Sequence, residues 1–348
     1  MKACVLTDWE TLELKDVPVP EPGEDEVLVE VLYAGVCGSD VTVFRHHHLT
    51  ATIPRILCHE IYGRVCRINS SRKLPYKVGD KAAVFPLIYC SHCKACLSGH
   101  TSACSNLKIR GLHVDGGFAE YIAVDTASII PVDPALPDRI AALTEPFSIG
   151  YHANRISETK PGDTVLVIGG GPIGLITAFT SQYFGAKVLI SEPNAERRGM
   201  AEEFGFETLD PLTQDIPAEV MARTGSAGAD VVMEVSGTQA GFDVAVPAVS
   251  ECGVIVPVAI PSEKRAFQTN MFTLKEASIR GIRCCPLDQF ERTAGMLADM
   301  YRRGLYPLEK LIAKELPLSG VAEGIALQAA GTLNGKVIIN IREGLSNE

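Results

Sequence analysis

Four cysteines lie close together in one loop-like stretch, with the spacing C-x2-C-x2-C-x7-C. Four thiolates in one loop can surround a tetrahedral zinc ion and leave no open position, which is typical of a structural site. An iron–sulfur cluster is an alternative, but bacterial ferredoxins use C-x2-C-x2-C-x3-C-P, and here the last gap is longer and serine follows. Unliganded thiols are the third alternative. The spacing favours structural zinc at Cys90, Cys93, Cys96 and Cys104.

A second set of possible metal ligands is spread along the chain. Cys37 opens the segment CGSD, His59 and Glu60 are consecutive, and Glu145 comes much later. Cysteine, histidine and carboxylate side chains are normal zinc ligands, and three protein ligands with an open position make a catalytic site. Spacing alone does not assemble them, because isolated cysteines and histidines are more often core or surface residues. On the residues alone, a second metal site and its absence both remain open.

A glycine-rich segment follows a predicted strand. GGGPIG at 169–174 fits the pattern G-x-G-x-x-G, whose glycines allow a tight turn, close approach of a pyrophosphate, and helix–strand packing. The pyrophosphate would lie at the helix N-terminus, where free N–H groups attract an anion. A glycine-rich turn that binds nothing is the alternative, but the preceding strand and following helix are the context that the motif requires. The predicted dinucleotide-binding residues are Gly169, Gly171, Pro172, Ile173 and Gly174.

An acidic residue bears on which dinucleotide is bound. Glu192 ends the next predicted strand, and a carboxylate there accepts hydrogen bonds from ribose hydroxyls. Because it would also repel a 2′-phosphate, NAD is favoured over NADP. Arg197 and Arg198 follow closely and keep NADP open, and Arg197 is included among the candidate cofactor-binding residues.

Two kinds of structure must position these residues. Before about residue 137 the sequence shows short strand-like runs, such as 27–32 and 63–68, between turns, so the opening third is predicted to be β-rich. The apolar run 164–168 then fits a strand buried on both faces, and 173–184 fits a helix. Strands that alternate with helices indicate a doubly wound parallel sheet and an α/β fold.

Composition and charge exclude several classes of function. The 348 residues, 46% hydrophobic and 21% charged, are ordinary for a globular chain of about two domains. A net charge of −10 makes nucleic acid and anionic membranes poor partners. Eleven cysteines without a secretion signal indicate a reducing compartment, which we expect to be the cytoplasm. The uncharged stretch 165–186 could span a bilayer, but its glycines and proline favour a strand, a turn and a buried helix.

In order along the chain, these segments resemble the zinc-containing medium-chain alcohol dehydrogenases from end to end. The similarity is greatest to the polyol, sugar-phosphate and sugar-acid branch, which includes sorbitol, threonine and galactitol-phosphate dehydrogenases and, most of all, the hexonate (galactonate or gulonate) 5-dehydrogenases. The matching segments are 35–40 (GVCGSD), 59–60 (HE), the four-cysteine lobe, 115–121 (DGGFAEY), 145–147 (EPF) and 169–174.

The resemblance implies a fold and a domain arrangement. A GroES-like, β-rich catalytic domain would comprise residues 1–150 and 284–348, with the structural zinc lobe at about 86–110. A Rossmann NAD-binding domain would comprise residues 151–283. The resemblance also implies that this chain forms a homodimer or homotetramer.

The resemblance also implies roles for the scattered ligands. Cys37, His59 and Glu145 would hold a catalytic zinc ion, and Glu60 would be an alternate ligand that exchanges with water or substrate. Ser39 would pass the proton of the alcohol onward. The implied reaction transfers a hydride between NAD(H) and a secondary alcohol or ketone of a polyol or sugar acid, such as L-galactonate or L-gulonate.

Two positions depart from the family pattern. The glycine that usually precedes the ligand histidine is Cys58 here, and its thiol either lies near the metal or only packs. Many relatives have a histidine five residues after the ligand cysteine to complete the proton relay, and here that residue is Thr42. The relay would then use water, a ribose hydroxyl of the cofactor, or the histidines at 46–48, which are otherwise a solvated loop.

The substrate is less defined than the reaction. Arg283 follows the predicted strand 278–282, and its guanidinium could bind a carboxylate in a bidentate manner, although a surface or interface arginine is the alternative. His113 is a second candidate with little support. Polyol-phosphate and amino-alcohol (threonine-like) dehydrogenases are alternative functions, and zinc-free quinone reductases and a non-catalytic zinc sensor of nucleotide or redox state are more distant ones.

Overall fold

The computed structural model describes residues 1–46, 50–261 and 263–343. The chain divides into two compact units. Unit 1 comprises Met1–Glu145 and Pro286–Glu348, and unit 2 comprises Pro146–Cys285. The boundaries predicted from the sequence, after residues 150 and 283, lie close to these, and the functions assigned to the two domains stay predictions.

The first segment of unit 1 is rich in short strands. Its elements are β1 (Lys2–Asp8), β2 (Thr11–Asp16), β3 (Glu26–Gly35), α1 (Gly38–His46), β4 (Arg55–Ile56), β5 (Glu60–Asn69), β6 (Lys81–Val84), β7 (Leu87–Ile88), α2 (Lys94–Leu97), β8 (Lys108–Ile109), β9 (Tyr121–Asp125), β10 (Ile129–Pro131), α3 (Asp138–Ala141) and the start of α4 (Thr144–Ser157). Two 3₁₀ helices lie at Thr101–Ala103 and Thr126–Ser128.

Strands alternate with helices in unit 2. After α4 its elements are β11 (Thr164–Ile168), α5 (Pro172–Tyr183), β12 (Lys187–Ser191), α6 (Ala195–Glu203), β13 (Glu207–Leu209), α7 (Ile216–Arg223), β14 (Ala229–Glu234), α8 (Gln239–Ala248), β15 (Val249–Pro257), α9 (Thr269–Lys275) and β16 (Ser278–Ile279). The second segment of unit 1 contains α10 (Leu287–Arg302), β17 (Ile312–Pro317), α11 (Val321–Ala330) and β18 (Lys336–Asn340), with 3₁₀ helices at Leu308–Leu311 and Leu318–Gly320.

A seven-stranded sheet organises unit 1. Its order is β10-β6-β5-β3-β18-β17, and β9 also pairs with β3. Strand β3 is central, because its first half pairs with β9, its last residues pair with β18, and β5 runs along its other edge. Its residues EVLVEVLYAG are mostly buried, as expected for a β-branched and apolar strand inside a sheet. The end of β3 is therefore a fixed point from which the next residues emerge.

Unit 2 contains a parallel six-stranded sheet of order β13-β12-β11-β14-β15-β16. Strand β11 is at its centre, and four of its five residues are buried, which explains its continuous apolar sequence. Helix α5 follows it with Gly171 as the N-cap and Pro172 in the first turn, where a missing N–H costs nothing. The predicted α/β fold with a doubly wound parallel sheet is confirmed.

Two local predictions were wrong. Helix α1 was not predicted, because it contains Val41, Thr42 and Val43, whose helix propensity is low. The strand predicted at 278–282 ends after Ile279, since only Arg280 beyond it still donates its backbone N–H to Ile255.

The uncharged stretch 165–186 forms β11, a turn and α5, as predicted. Among the described residues, no helix has both the length and the apolar sequence needed to cross a bilayer.

Candidate active site

Three possible metal ligands meet at one end of the central strands of unit 1. Cys37 lies between the end of β3 and the start of α1, and Glu60 begins β5 directly after His59. Gly35 pairs with Glu60 across the sheet, which brings the two segments together. The ligand atoms of Cys37, His59 and Glu60 all lie within 4.8 Å of one another. We call these three side chains the donor set.

Next to the donor set, the position of Gly35 leaves no room for a side chain. A Cβ atom added to Gly35 would lie 1.9 Å from Oε2 of Glu60. Only a residue without a side chain therefore allows the Glu60 carboxylate to reach its position next to Cys37 and His59.

A buried carboxylate joins the two segments that carry the donor set. Asp40, fully buried in the first turn of α1, accepts the backbone N–H of Cys37 at 2.9 Å with one oxygen. Its other oxygen accepts the backbone N–H of Cys58 at 3.1 Å. Burial raises the pKa of Asp40, and the nearby His59 and the two N–H groups oppose this. Asp40 thus fixes the residue before His59 relative to Cys37.

Glu145 is buried in the first turn of α4. Its carboxylate is one of the charges that act on His59. Burial raises its pKa to about 7, the nearby His59 and Lys336 oppose that rise, and Glu60 adds to it. Burial alone would lower the pKa of His59, but Cys37 and then Glu145 raise it well above its usual value. Glu145 is not one of the three residues of the donor set, so its role as a metal ligand stays a prediction.

One buried lysine neutralises part of this negative charge. The Nζ atom of Lys336, at the start of β18, lies 2.6 Å from Oε1 of Glu60 and 2.9 Å from the backbone oxygen of Val36. The side chains of Lys336 and Glu60 are 3% and 1% exposed. Burial lowers the pKa of Lys336, but Glu60 and Cys37 outweigh it and raise the pKa above its usual value. The other oxygen of Glu60 has no hydrogen-bond partner among the described residues.

The first departure from the family pattern, Cys58, is accommodated as a packed side chain. It is fully buried, with a backbone φ of +83° that favours glycine. Its Sγ atom lies 3.4 Å from the backbone oxygen of Gly35 and 3.5 Å from that of Glu60. Burial raises the pKa of this thiol well above its usual value. These contacts favour a neutral thiol that packs against the backbone of the donor set.

The proposed proton path begins at Ser39. Its Oγ atom is buried and has no hydrogen-bond partner within the described parts of the chain. Thr42, which stands where relatives carry a histidine, donates its hydroxyl to the backbone oxygen of Gly38 at 3.1 Å. The side chain of His46 and the whole of His47 and His48 lie outside the described residues.

The four-cysteine lobe brings its sulfur atoms together. The Sγ atoms of Cys90, Cys93, Cys96 and Cys104 all lie within 4.8 Å of one another. Backbone N–H groups of Cys90 and Asn106 point at the Cys104 sulfur at 3.4 and 3.3 Å. Hydrogen bonds from the backbone of Cys96 and Ser105 lower the pKa of Cys93 to about 5. Thiolates within such a distance fit a tetrahedral ion, as the spacing predicts.

The glycine-rich turn of unit 2 has the shape of a phosphate-binding loop. Gly169 has φ +107° at the end of β11. A Cβ atom on Gly174 would lie 1.9 Å from the backbone oxygen of Gly169, so glycine is needed for the close packing of α5 on the turn. A Cβ atom on Gly171 would meet only the Nη1 atom of Arg197, at 3.9 Å. The space beside Gly171 therefore fits a pyrophosphate, with Pro172 and Ile173 opening the helix.

The acidic residue of the dinucleotide site is held by the backbone. Glu192, 3% exposed, accepts the N–H of Gly170 at 2.6 Å and that of Asn194 at 2.8 Å. Arg198 donates to the backbone oxygens of Glu192 and Pro193, at 2.8 and 2.9 Å. The carboxylate is therefore fixed beside the phosphate-binding turn, where a ribose would lie.

The two predicted substrate residues lie in different units. Arg283 is exposed in the loop after β16 in unit 2. His113 belongs to unit 1, where its Nδ1 atom accepts the backbone N–H of Ile109 at 2.9 Å. Its Nε2 atom therefore carries the proton and lies 3.0 Å from Oγ1 of Thr50. Both ring nitrogens are engaged, which favours a structural role for His113 in the turn.

Sequence reasoning missed the roles of Asp40 and Lys336. The sequence could have pointed to Lys336, because it stands directly before three apolar residues of a strand. A charge in such a buried segment needs a partner. Asp40 was visible within the CGSD segment, but its two backbone contacts depend on the folding of distant segments.

Comparison with known proteins places the chain in a family. The sequence profile of the alcohol dehydrogenase GroES-like domain matches residues 23–134, and that of zinc-binding dehydrogenases matches residues 172–299. The chain is 31% identical to L-galactonate-5-dehydrogenase of Escherichia coli K12, over 93% of this chain and 94% of the relative. It is 33% identical to 2-dehydro-3-deoxy-L-galactonate 5-dehydrogenase of Pseudoalteromonas atlantica, over 88% of each.

A solved structure of a dehydrogenase is also similar to this chain. The chain resembles a zinc-binding dehydrogenase from Sinorhizobium meliloti 1021 bound to NADP, with a TM-score of 0.88 and 29% identity, over 97% of this chain and 98% of that chain. With two family profiles and relatives above 30% identity along nearly their whole length, the chain belongs to the zinc-containing medium-chain alcohol dehydrogenase family.

Proposed function

We propose that this chain is a zinc-dependent, NAD-linked dehydrogenase that interconverts a secondary alcohol and a ketone on a polyol or sugar acid. The observation that carries the proposal is the buried donor set of Cys37, His59 and Glu60, with ligand atoms within 4.8 Å of one another and Glu145 buried beside it. Thiolate, imidazole and carboxylate together form a donor set that zinc prefers.

An unpartnered carboxylate oxygen in the donor set fits a metal ion. The Oε2 atom of Glu60 is buried and lacks a hydrogen-bond partner among the described residues, an arrangement that is costly unless something else satisfies it. Cys37, His59 and either Glu145 or Glu60 would hold a zinc ion, which would supply Lewis acidity and lower the pKa of an alcohol hydroxyl towards ~7, as zinc does for water. The four-cysteine lobe would hold a second, structural zinc ion.

The remaining residues of unit 1 orient the site and move the proton. Asp40 holds the backbone at Cys37 and Cys58, so the spacing of the ligands is set before substrate arrives. Ser39 would accept the proton of the substrate hydroxyl, since its Oγ atom is not committed to a protein partner in the described chain. With Thr42 bound to Gly38, we propose that the proton leaves Ser39 through water or a ribose hydroxyl of the cofactor.

A bound dinucleotide would supply the carbon that accepts the hydride. Gly169, Gly171 and Gly174 would hold the pyrophosphate, and Glu192 would accept hydrogen bonds from the adenosine ribose. Its fixed carboxylate supports NAD as the preferred cofactor, whereas Arg197 beside Gly171 and the NADP bound to the Sinorhizobium relative support some use of NADP.

A sugar acid is the substrate class that the relatives favour. Two of them are named as 5-dehydrogenases of galactonate compounds. Arg283 is exposed and would bind the carboxylate of such a substrate, and His113 would act only through the turn that it holds. We further propose that the protein works in the cytoplasm as a homodimer or homotetramer.

The test combines substrate turnover with metal analysis. The zinc-loaded protein, mixed with NAD or NADP and a panel of hexonates, hexitols, hexitol phosphates and threonine, should produce NADH fastest with a hexonate. Two zinc ions per chain are expected, and Cys37→Ser should retain one zinc and lose turnover, whereas the matched variant Cys252→Ser, at an exposed cysteine, should retain both. Fastest turnover of a phosphate or of threonine would replace the sugar acid, and no turnover across the panel would favour a sensor.

A further inference from the structure

Unit 1 contains a pocket that none of the residues assigned above to metal or proton transfer lines. Its volume is about 460 Å³, within the range of small-molecule sites. Its walls come from β1, the loop after β2, β4, the turn before β9, and β9 itself. Most of the lining is apolar, including Val5, Val17, Ile56 and Ile122.

Arg110 is the unusual residue of this pocket. It is 6% exposed, and its guanidinium has five N–H donors. Nη1 contacts the backbone oxygen of Ala123 at 3.5 Å and Nη2 contacts Asp125 at 3.4 Å, both at the outer limit of a hydrogen bond. Nε is buried and has no partner among the described residues. Burial lowers the pKa of Arg110, so the cation has lost water without gaining strong contacts.

A second arginine lines the same pocket. Arg55 forms an ion pair with Asp115 at 2.9 Å and donates to Oγ1 of Thr52 at 2.6 Å. Its Nε atom is also buried without a partner in the described chain. Asp115 is shared, because the same oxygen also accepts the backbone N–H of Ile56 at 3.1 Å. Asp125, the counter-charge of Arg110, is 58% exposed at its side chain, and both guanidinium groups keep a buried Nε donor from which a ligand oxygen could accept a hydrogen bond.

We propose that this pocket binds a small organic carboxylate with an apolar body. The carboxylate would lie against the Arg110 guanidinium, whose planar fork matches two oxygens. The body would lie against the apolar walls near Val5 and Ile122. An inorganic anion would gain the first contact but leave the apolar walls in water, so the combination selects an amphipathic acid.

The test is calorimetric titration of the zinc-loaded full chain saturated with NADH, using octanoate, octanamide and inorganic phosphate as probes. Octanoate should bind saturably, and octanamide should bind at least about tenfold more weakly, because it lacks the charge that Arg110 recognises. Phosphate should show no comparable affinity. Equal binding of octanoate and octanamide, or phosphate as tight as octanoate, would overturn the proposal.

Variants locate the binding. Arg110→Met should reduce octanoate affinity at least about tenfold, whereas Arg64→Met, a partly exposed arginine of β5, should leave it unchanged. Val114→Phe adds bulk at a pocket residue while keeping Arg110, and it should also reduce octanoate affinity at least about tenfold, which covers the case that Arg110→Met does not fold. Octanoate affinity unchanged in the folded pocket variants, including binding at the donor set instead, contradicts the proposal.

Discussion

Lys336 shows how one residue can set the charge of a whole site. Its ion pair with Glu60 is almost fully buried, with the charged atoms 2.6 Å apart. Removing one partner from such a pair leaves a buried charge without compensation, which costs far more than the pair contributes. The stability of unit 1 should therefore respond strongly to this position.

Lys336→Met is expected to lower the free energy of unfolding by about 3–5 kcal/mol, because it leaves the Glu60 carboxylate uncompensated. Urea unfolding of the zinc-loaded protein, followed by circular dichroism, measures the change. The double variant Lys336→Met/Glu60→Gln removes both charges and should recover most of the loss. A single variant as stable as the unaltered protein would show that the pair is not a buried charge balance.

Glu192 gives a second prediction, on cofactor choice. Glu192→Ser should shift the ratio of kcat/KM for NADP over NAD upwards by at least about tenfold, since it removes a fixed negative charge from the region of the 2′-phosphate. Initial rates with both cofactors measure the ratio. Glu203→Ser, at an exposed glutamate at the end of α6, is the control and should leave the ratio unaltered. An unchanged ratio in Glu192→Ser would remove this residue from the cofactor site.

Single residues differ in how far the sequence could predict them. Cys37, His59 and the four cysteines could be found from their types and from the order of family segments. Lys336 could not be assigned, because its partner is 276 positions away and no local pattern joins them. The two N–H contacts of Asp40 are equally non-local, since they depend on the pairing of β3 with β5.

At the scale of elements, two glycines of the turn between β11 and α5 have different roles, one in packing and one in leaving space for a ligand. Gly174 is confined by the backbone oxygen of Gly169, whereas Gly171 faces open space. Gly174→Ala should lower the free energy of unfolding by about 1–3 kcal/mol, because the helix must move away from the turn. Gly171→Ala should change stability by less than about 0.5 kcal/mol but weaken NAD binding at least about tenfold.

Thermal unfolding and titration of NADH fluorescence distinguish these two effects. Each variant serves as the control of the other, since both add the same methyl group within one turn. If both variants lost only stability, the space at Gly171 would have no role in binding the pyrophosphate.

The four-cysteine lobe illustrates an element without a core. Between β7 and β8, only a few described side chains are buried, among them Ser102 and Cys104, while Leu97 is 76% exposed. Cys93→Ser should therefore reduce zinc from two ions to one per chain and expose the lobe to protease, because the ion replaces a hydrophobic core. Metal analysis and mass spectrometry of limited digests measure both changes. If the lobe resisted protease equally well without its zinc ion, its stability would not come from the metal.

Helices and strands could be predicted where the apolar pattern of the sequence extended over many residues. The apolar run of β11 and the following helix α5 appeared from the sequence nearly at their observed bounds. Helix α1 was missed because tertiary contacts override its weak propensity: Val43 is fully buried in the core of unit 1. The strand β16 was predicted too long, because beyond Ile279 the pairing continues only through the backbone N–H of Arg280, which donates to Ile255.

At the scale of the whole molecule, unit 1 is built from two distant parts of the chain. Strand β18 from the second part pairs with Tyr33, Ala34 and Gly35 at the end of β3, next to Cys37. The same strand supplies Lys336. The donor set thus depends on residues that follow the entire parallel-sheet unit, which the sequence indicated only as a tail of mixed helix and strand.

A chain ending at Cys285 provides the corresponding prediction. It should lose zinc from the donor set, because the end of β3 loses a neighbouring strand and Glu60 loses its counter-charge. NADH binding should persist, since the six-stranded sheet of unit 2 lies entirely within Pro146–Cys285. Zinc analysis and NADH fluorescence measure the two outcomes, with a chain ending at Glu343 as the control. Retention of two zinc ions by the shorter chain would mean that the first segment of unit 1 assembles the donor set alone.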